Sequence, residues 1–147
     1  MKSIRLVIPG DPVAQGRPRA CIRGKHASVY SNQQKEMRDF QVKALERFFE
    51  KPIDEAVVVK MRFYLRRPKS HYGTGKNAGI LKPSAPRYHA QKPDTSNLIK
   101  FAEDALNGIL WTDDAIIIEI IGSKAWANNS DPRTEIDVRK IWGGSKR

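Results

Sequence analysis

From Ser3 to Ile8 the chain alternates, with Ile4, Leu6 and Ile8 on one side, and this period of two predicts a strand. Pro9-Gly10-Asp11-Pro12 ends it. A longer alternation runs from Ala56 to Leu65: Val57, Val59, Met61, Phe63 and Leu65 form one face, and Val58, Lys60, Arg62 and Tyr64 form the other. Between the two, Met37, Phe40, Ala44, Leu45 and Phe48 recur at helical spacing. A helix is predicted there, capped by Ser31 or Asn32 and running to about Lys51, where Pro52 stops it. A second helix is predicted from a cap at Asp94 to about Asn107. Leu98, Phe101, Ala102, Ala105 and Leu106 form its apolar stripe, and Asn107-Gly108 is its stop. From Asp113 to Ala127 a third strand holds Ile116, Ile117, Ile118, Ile120 and Ile121, a near-continuous run that predicts a central strand buried on both faces. A fourth strand, Thr134 to Ile141, follows the turn Asn128-Asn129-Ser130-Asp131-Pro132. The order β-α-β-α-β-β, without an internal repeat, predicts an α/β (α+β) fold: one domain over residues 1–147, with a mixed sheet of about four strands and two packed helices.

Two segments lie outside this pattern, and charge makes them informative. The 147 residues carry 27 Lys and Arg against 16 Asp and Glu, a net charge of +11, which favours a polyanionic partner, either nucleic acid or an anionic membrane. The basic residues are spread along the chain rather than gathered in a tail, so a folded basic surface is expected. Gly16 to Tyr30 reads as a basic loop or hairpin containing Arg17 and Arg19. A long basic loop at about 66–92 carries Arg66, Arg67, Lys69, Lys76, Lys82, Arg87 and Lys92, with Tyr72 and Tyr88 available for stacking on bases. These nine basic residues are the expected DNA contacts. A structureless loop of that length in a compact domain is usually functional or disordered. No apolar run approaches the ~18–20 residues of a membrane span, and the N-terminus lacks the apolar core of a secretory signal. The single cysteine, Cys21, excludes an intrachain disulfide, which suits a cytoplasmic protein.

The acidic residues are fewer and more concentrated. Taken alone, Asp94 is a helix cap, and Asp104 is a solvated helix charge paired with Lys100 four residues earlier. Trp111-Thr112-Asp113-Asp114 changes this, because two adjacent carboxylates stand where the chain enters the core. Their repulsion costs stability unless a cation binds there. Glu119 adds a carboxylate inside the isoleucine run. The two acidic clusters, one at a helix start and one at a strand start, are expected to converge on a single carboxylate pocket suited to Mg2+, with Mn2+ as an alternative. Such an ion assists phosphodiester hydrolysis, and Lys100 is the candidate to neutralise charge on the reacting phosphate. Trp126 and Trp142 read as packing residues, and Cys21 has no identifiable activating partner. His26, His71 and His89 read as contacts to phosphate or solvent, because their spacing fits no zinc motif.

Pro93-Asp94-Thr95-Ser96-Asn97-Leu98-Ile99-Lys100, then Asp104-Ala105-Leu106-Asn107-Gly108, then Trp111-Thr112-Asp113-Asp114-Ala115 resembles the core signature of the RusA family of Holliday junction resolvases. Gly16-Arg17-Pro18-Arg19 and the Pro-Lys-Ser-His stretch from Pro68 to His71 resemble phage and prophage members. The resemblance implies a homodimer that binds four-way DNA junctions in recombination and repair and makes paired, symmetric nicks with Mg2+ or Mn2+. It carries the catalytic roles to Asp94, Asp114 (with Asp113 beside it) and Lys100, and metal ligation to Asp94, Asp113, Asp114 and Ser96. Ser96 is the departure, since the best-known member has an Asp two residues after the first; Asp113, Asp104 or Glu119 are candidates to compensate. That departure keeps open an alternative, a protein that binds branched nucleic acid without cutting it. A nuclease acting on flaps or ordinary duplex, and an RNA-binding structural protein, are further readings; the acidic clusters argue against the last.

Overall fold

The computed structural model describes residues 3–16, 19–23, 26–30 and 33–141, with residues 19–23 and 26–30 described by their backbone. In chain order the strands and α-helices are β1 (Ser3–Pro9), β2 (Arg19–Arg23), β3 (His26–Tyr30), α1 (Gln34–Leu45), β4 (Val57–Leu65), α2 (Thr95–Leu106), β5 (Ile117–Trp126) and β6 (Arg133–Lys140). β2 and β3 pair as an antiparallel hairpin, so the first basic segment is a hairpin rather than a loop. The other four strands form one sheet in the order β1-β6-β4-β5. β6 is antiparallel to both its neighbours, and β5 is parallel to β4. A parallel pair needs a crossover, and the 66–92 segment with α2 supplies it. The result is a single-domain α+β arrangement with a mixed sheet of four strands and two helices.

The core follows the predicted faces. Val57, Val59, Met61, Phe63 and Leu65 of β4 are buried, as are Leu6 and Ile8 of β1 and Ile136 and Val138 of β6. Leu98, Ala102 and Leu106 of α2 join the same cluster. α1 packs more shallowly, burying Ala44 and setting Phe40 edge-on to Phe101 with ring centroids 5.9 Å apart. The opposite sheet face is charged, with Arg5, Lys60, Arg62 and Arg139 exposed. Glu135 is buried on that face between Arg5 and Arg133, each 2.8 Å away. Burial alone would raise its pKa, but hydrogen bonds and positive charge from Arg133 and Arg5 outweigh that and hold it below the usual value. Among the described residues no helix is long and apolar enough to cross a membrane.

Three expectations are corrected. β5 is an edge strand, not a central one: Ile117 and Ile120 pack against the core, while Ile118 is 63% and Ile121 47% exposed. Helices cover one face of the sheet only, so a continuous isoleucine run here has one dry side. A bulge inserts Ile118 between the pairs Val57–Ile117 and Val58–Glu119, which turns Glu119 to the charged face and away from α2. α1 ends at Leu45, well short of Lys51. There Arg47 donates to the Lys43 carbonyl at 2.9 Å, and the chain turns to bury Phe48. Ser31 and Asn32, the expected caps, lie outside the described residues; Gln33 occupies the cap position. The 66–92 segment is not structureless. It contains short 3-10 turns at Lys69–His71 and Gly75–Asn77 and a bridge between Tyr72 and Leu81.

α2 lies unusually close to β5. A Cβ placed on Gly122 would come within 2.3 Å of Ile99 Cδ1 and 3.6 Å of Thr95 Cγ2. We expect Gly122→Ala to lower stability by about 1–3 kcal/mol through overpacking, read as a lower urea midpoint with an unchanged slope. Combined with Ile99→Val, the loss should be smaller than the sum of the two single losses. Strict additivity would show that helix and strand do not meet there.

Candidate active site

α2 is fixed at both ends by ordinary backbone chemistry. Asp94 takes the N-cap position, but its side chain makes no capping hydrogen bond. At the other end Asn107 is the C-cap, and Gly108 adopts φ 81°, the left-handed conformation that glycine accepts without strain. The Gly108 amide donates to the Trp111 carbonyl at 2.7 Å, folding the chain back under the helix. Trp111 is fully buried, and its indole N–H donates to Asn107 Oδ1 at 2.8 Å. The Asn107 amide stands near the Asp114 carboxylate and favours its charged form. A buried indole thus orients an amide that faces a carboxylate. Asp114 opens the short 3-10 turn Asp114–Ile116 that leads into β5.

Along α2 an open cleft of about 290 Å³ is lined by Ser96, Ile99, Lys100, Glu103, Asp104 and Asp114. Ser96, Lys100 and Glu103 sit at successive turns of one helix face, and Ser96 to Asp104 spans about 12 Å along the axis. Gln15 reaches in from the segment after β1 and donates to Asp104 at 2.9 Å, while its own amide donates to the Asn97 carbonyl at 2.9 Å. The Gln33 side chain pins the same segment through Ala14 O and Gly16 N, at 2.7 and 2.8 Å. The β2–β3 hairpin departs just beyond Gly16, next to the acidic cleft in the chain.

The carboxylates oppose one another. Asp114 titrates above its ordinary value: partial burial comes first, then the hydrogen bond with Asp113 and the negative charges of Asp113 and Asp104, with the Asn107 amide pulling the other way. Glu103 is also raised, first by burial and then by Asp114 and Asp104, against the charge of Lys100. Of the residues expected at the site, Ser96, Lys100 and Asp114 share the cleft, and Asp113 stands beside Asp114 and raises its pKa. Asp94 does not line the cleft: it stands before the first turn of α2, whereas Asp114 contacts residues near the last. Ser96, two residues further on, does line it, and Glu119 is on the other sheet face. Glu103 was missed although helical spacing from Ser96 and Lys100 already placed it on their face. Asn107 was read only as part of the helix stop, and Gln15 carried no signal.

Among the described residues no three His, Cys, Asp or Glu side chains group closely enough to hold a metal on their own. The donors nevertheless suit magnesium, which takes hard oxygens and often uses one or two carboxylates, completing its shell with water and substrate phosphate. Asp114 with Asp113 or Asp104, and the Ser96 hydroxyl, are the residues that would hold it.

The expected DNA contacts are placed unevenly. Arg66, Lys69, Lys76, Lys82, Arg87 and Lys92 are exposed. Arg87 lies over the Tyr88 ring at 5.5 Å, and that ring is itself open to solvent. Arg67 is instead inside the fold, 6% exposed and packed over Trp126. Arg19 is on β2, and Arg17 and Trp142 lie outside the described residues. His89 is buried against Trp126, with ring centroids 4.2 Å apart, and not at the surface as expected. Burial lowers its pKa, and Lys124 lowers it further, against backbone hydrogen bonds at His89 and Gln91 that raise it.

The sequence model of the family described as endodeoxyribonuclease RusA matches residues 9–139 of this chain. The chain is also 31% identical over 150 residues to the uncharacterized protein YqaN of Bacillus subtilis (strain 168), an alignment covering 96% of this chain and 99% of that one.

The raised carboxyls make a prediction of definite sign. A group whose pKa is higher in the folded state holds its proton more tightly there, so stability falls as pH rises through that window and stays lower above it. Asp114→Asn and Glu103→Gln should therefore each raise the melting temperature at pH 7–8 without metal, and the gain should vanish below about pH 3.5. Mg2+ should raise the melting temperature of the wild type more than that of Asp114→Asn. Melting temperatures that fall in both variants at neutral pH would show that the carboxylates are held by partners rather than strained by each other.

Proposed function

The chain belongs to the RusA endodeoxyribonuclease family, and from that premise we propose that it cuts four-way DNA junctions by metal-assisted phosphodiester hydrolysis. The observation that carries this reading is the cleft on α2, where Ser96, Lys100, Asp104 and Asp114 gather in a chain of net charge +11. A phosphate-binding protein gains nothing from carboxylates at such a place unless a cation stands between them and the substrate.

In this mechanism the basic surface brings the phosphate backbone to the cleft, with an affinity that weakens steeply with salt. Bound magnesium would polarise the scissile phosphate and favour deprotonation of the attacking water. Asp114, with Asn107 and Asp113 beside it, orients that water. Lys100 lies one turn from Ser96 on the cleft wall and offsets the negative charge that grows on the phosphorus oxygens. Ser96 contributes a neutral oxygen where the best-known member of the family carries an Asp. Asp94, free of a capping bond, remains available to a DNA strand or a cation approaching the helix start.

A four-way junction has two-fold pseudo-symmetry, and a two-fold homodimer would present one such cleft to each of two opposed strands. Val42, Leu45 and Phe49 at α1 and Ile118 and Ile121 on β5 are exposed apolar residues that a second copy would cover.

The test is cleavage of a labelled four-way junction in Mg2+, Mn2+ or EDTA. Wild type should make paired symmetric nicks that require metal, and Asp114→Asn should lose about a hundredfold or more in rate. Ser96→Asp should raise Mn2+ affinity, measured by electron paramagnetic resonance of the free ion. Tight junction binding without nicks in any metal would overturn the nuclease reading in favour of a protein that only holds branched DNA.

A further inference from the structure

A second cavity, of about 590 Å³, opens where β4 and β5 end, beside the 66–92 segment. The ten residues of β5 separate it from Asp114 by about 30 Å. It is about twice the volume of the carboxylate cleft and its chemistry is the reverse. Arg66, Arg67 and Lys69 line it together with Tyr72, Asn129 and Ser130, and no Asp or Glu is among its lining residues.

Arg67 is the telling member. Its side chain is 6% exposed, yet among the described residues no carboxylate pairs with it. The guanidinium is held by Asn128 Oδ1, by His71 Nδ1 at 3.2 Å and by the face of Trp126 at 4.9 Å, none of them a carboxylate. A buried cation without a counter-charge is costly, and this one lines a cavity with two more cations at its edge. Arg66 has a partner, Asp11 at 3.3 Å, but both side chains are more than half exposed, and such a pair is easily exchanged. The missing partner is an anion from outside the chain.

We propose that this cavity binds a phosphorylated nucleoside, with the phosphate at Arg67 and Lys69 and the base on Tyr72. The Tyr72 ring is half-buried at the cavity wall, the setting in which an aromatic ring stacks a base without sequence preference. Asn129 donates to the Gly79 carbonyl at 3.3 Å, which leaves its own carbonyl and the Ser130 hydroxyl to meet the base edge or sugar. The volume lies within the range of small-molecule sites. Two sources present this chemistry: a nucleotide unstacked from bound DNA, and a free mononucleotide. The first rests on the proposed DNA-cutting role; the second does not.

Binding is measured in EDTA, where no cutting occurs, by the fluorescence of Trp126, which lies beneath the site. Wild type should bind 2′-deoxyadenosine 5′-monophosphate about tenfold or more tightly than deoxyadenosine, and Lys69→Glu and Tyr72→Ala should each weaken it about tenfold or more. Both variants should melt as the wild type does, since neither side chain is in the core. A single-stranded oligonucleotide carrying 2-aminopurine then separates the sources. Brightening reversed by the mononucleotide identifies a DNA nucleotide as the occupant, and mononucleotide binding without competition identifies the free form. No mononucleotide binding below about 1 mM, or equal affinity for the nucleoside and its monophosphate, overturns the proposal. Neither result depends on whether junctions are cut.

Discussion

Trp111 has to be dry, and its one polar atom has to be satisfied; the acidic end of the molecule follows from how both are achieved. The indole is fully buried and donates to Asn107, so the C-cap of α2 cannot move independently of the core. The same residue bridges to Ile53, whose amide bonds Leu110 and whose carbonyl takes the Thr112 amide, at 3.0 and 2.9 Å. The approach to β4, the end of α2 and the entry to β5 are tied at one point. Asp113 and Asp114 emerge immediately after that knot, on the most constrained backbone in the neighbourhood. The role proposed for Asp114 asks for placement within about half an ångström, and such a support supplies it.

That support holds charges that repel. Asp114 and Glu103 are both pushed towards protonation by burial and by their acidic neighbours. Elsewhere the fold neutralises its buried acid, as at Glu135 between Arg5 and Arg133. The cleft on α2 is treated differently, with Lys100 alone among its lining residues to offset three carboxylates. One positive charge stands there against three negative ones, the imbalance that the cation proposed above would offset.

Much of the fold was legible because one-sided alternation is hard to mistake. β1 and β4 carry their apolar residues at every second position and bury those residues. β5 was misplaced because a run of isoleucines reports hydrophobicity without reporting which side is dry. The position of β6 between β1 and β4 depends on pairing across the whole chain, which no local pattern encodes. At the site, Ser96, Lys100 and Asp114 were legible from motif and spacing. The part played by Gln15, which reaches Asp104 from the segment after β1, was not, because that contact joins residues 89 positions apart. Arg67 and His89 read as surface residues because the ring that buries them, Trp126, is far away along the chain.

The bulge at Ile118 sets Ile117 and Glu119 against neighbouring residues of β4, so the side chains of β5 change faces at that point. The looped-out residue adds about 3.3 Å of chain between the Asp114 turn and the regular pairing of the sheet, which begins at Glu119. The carboxylate is thus spaced from the core by one residue that the ladder itself does not count.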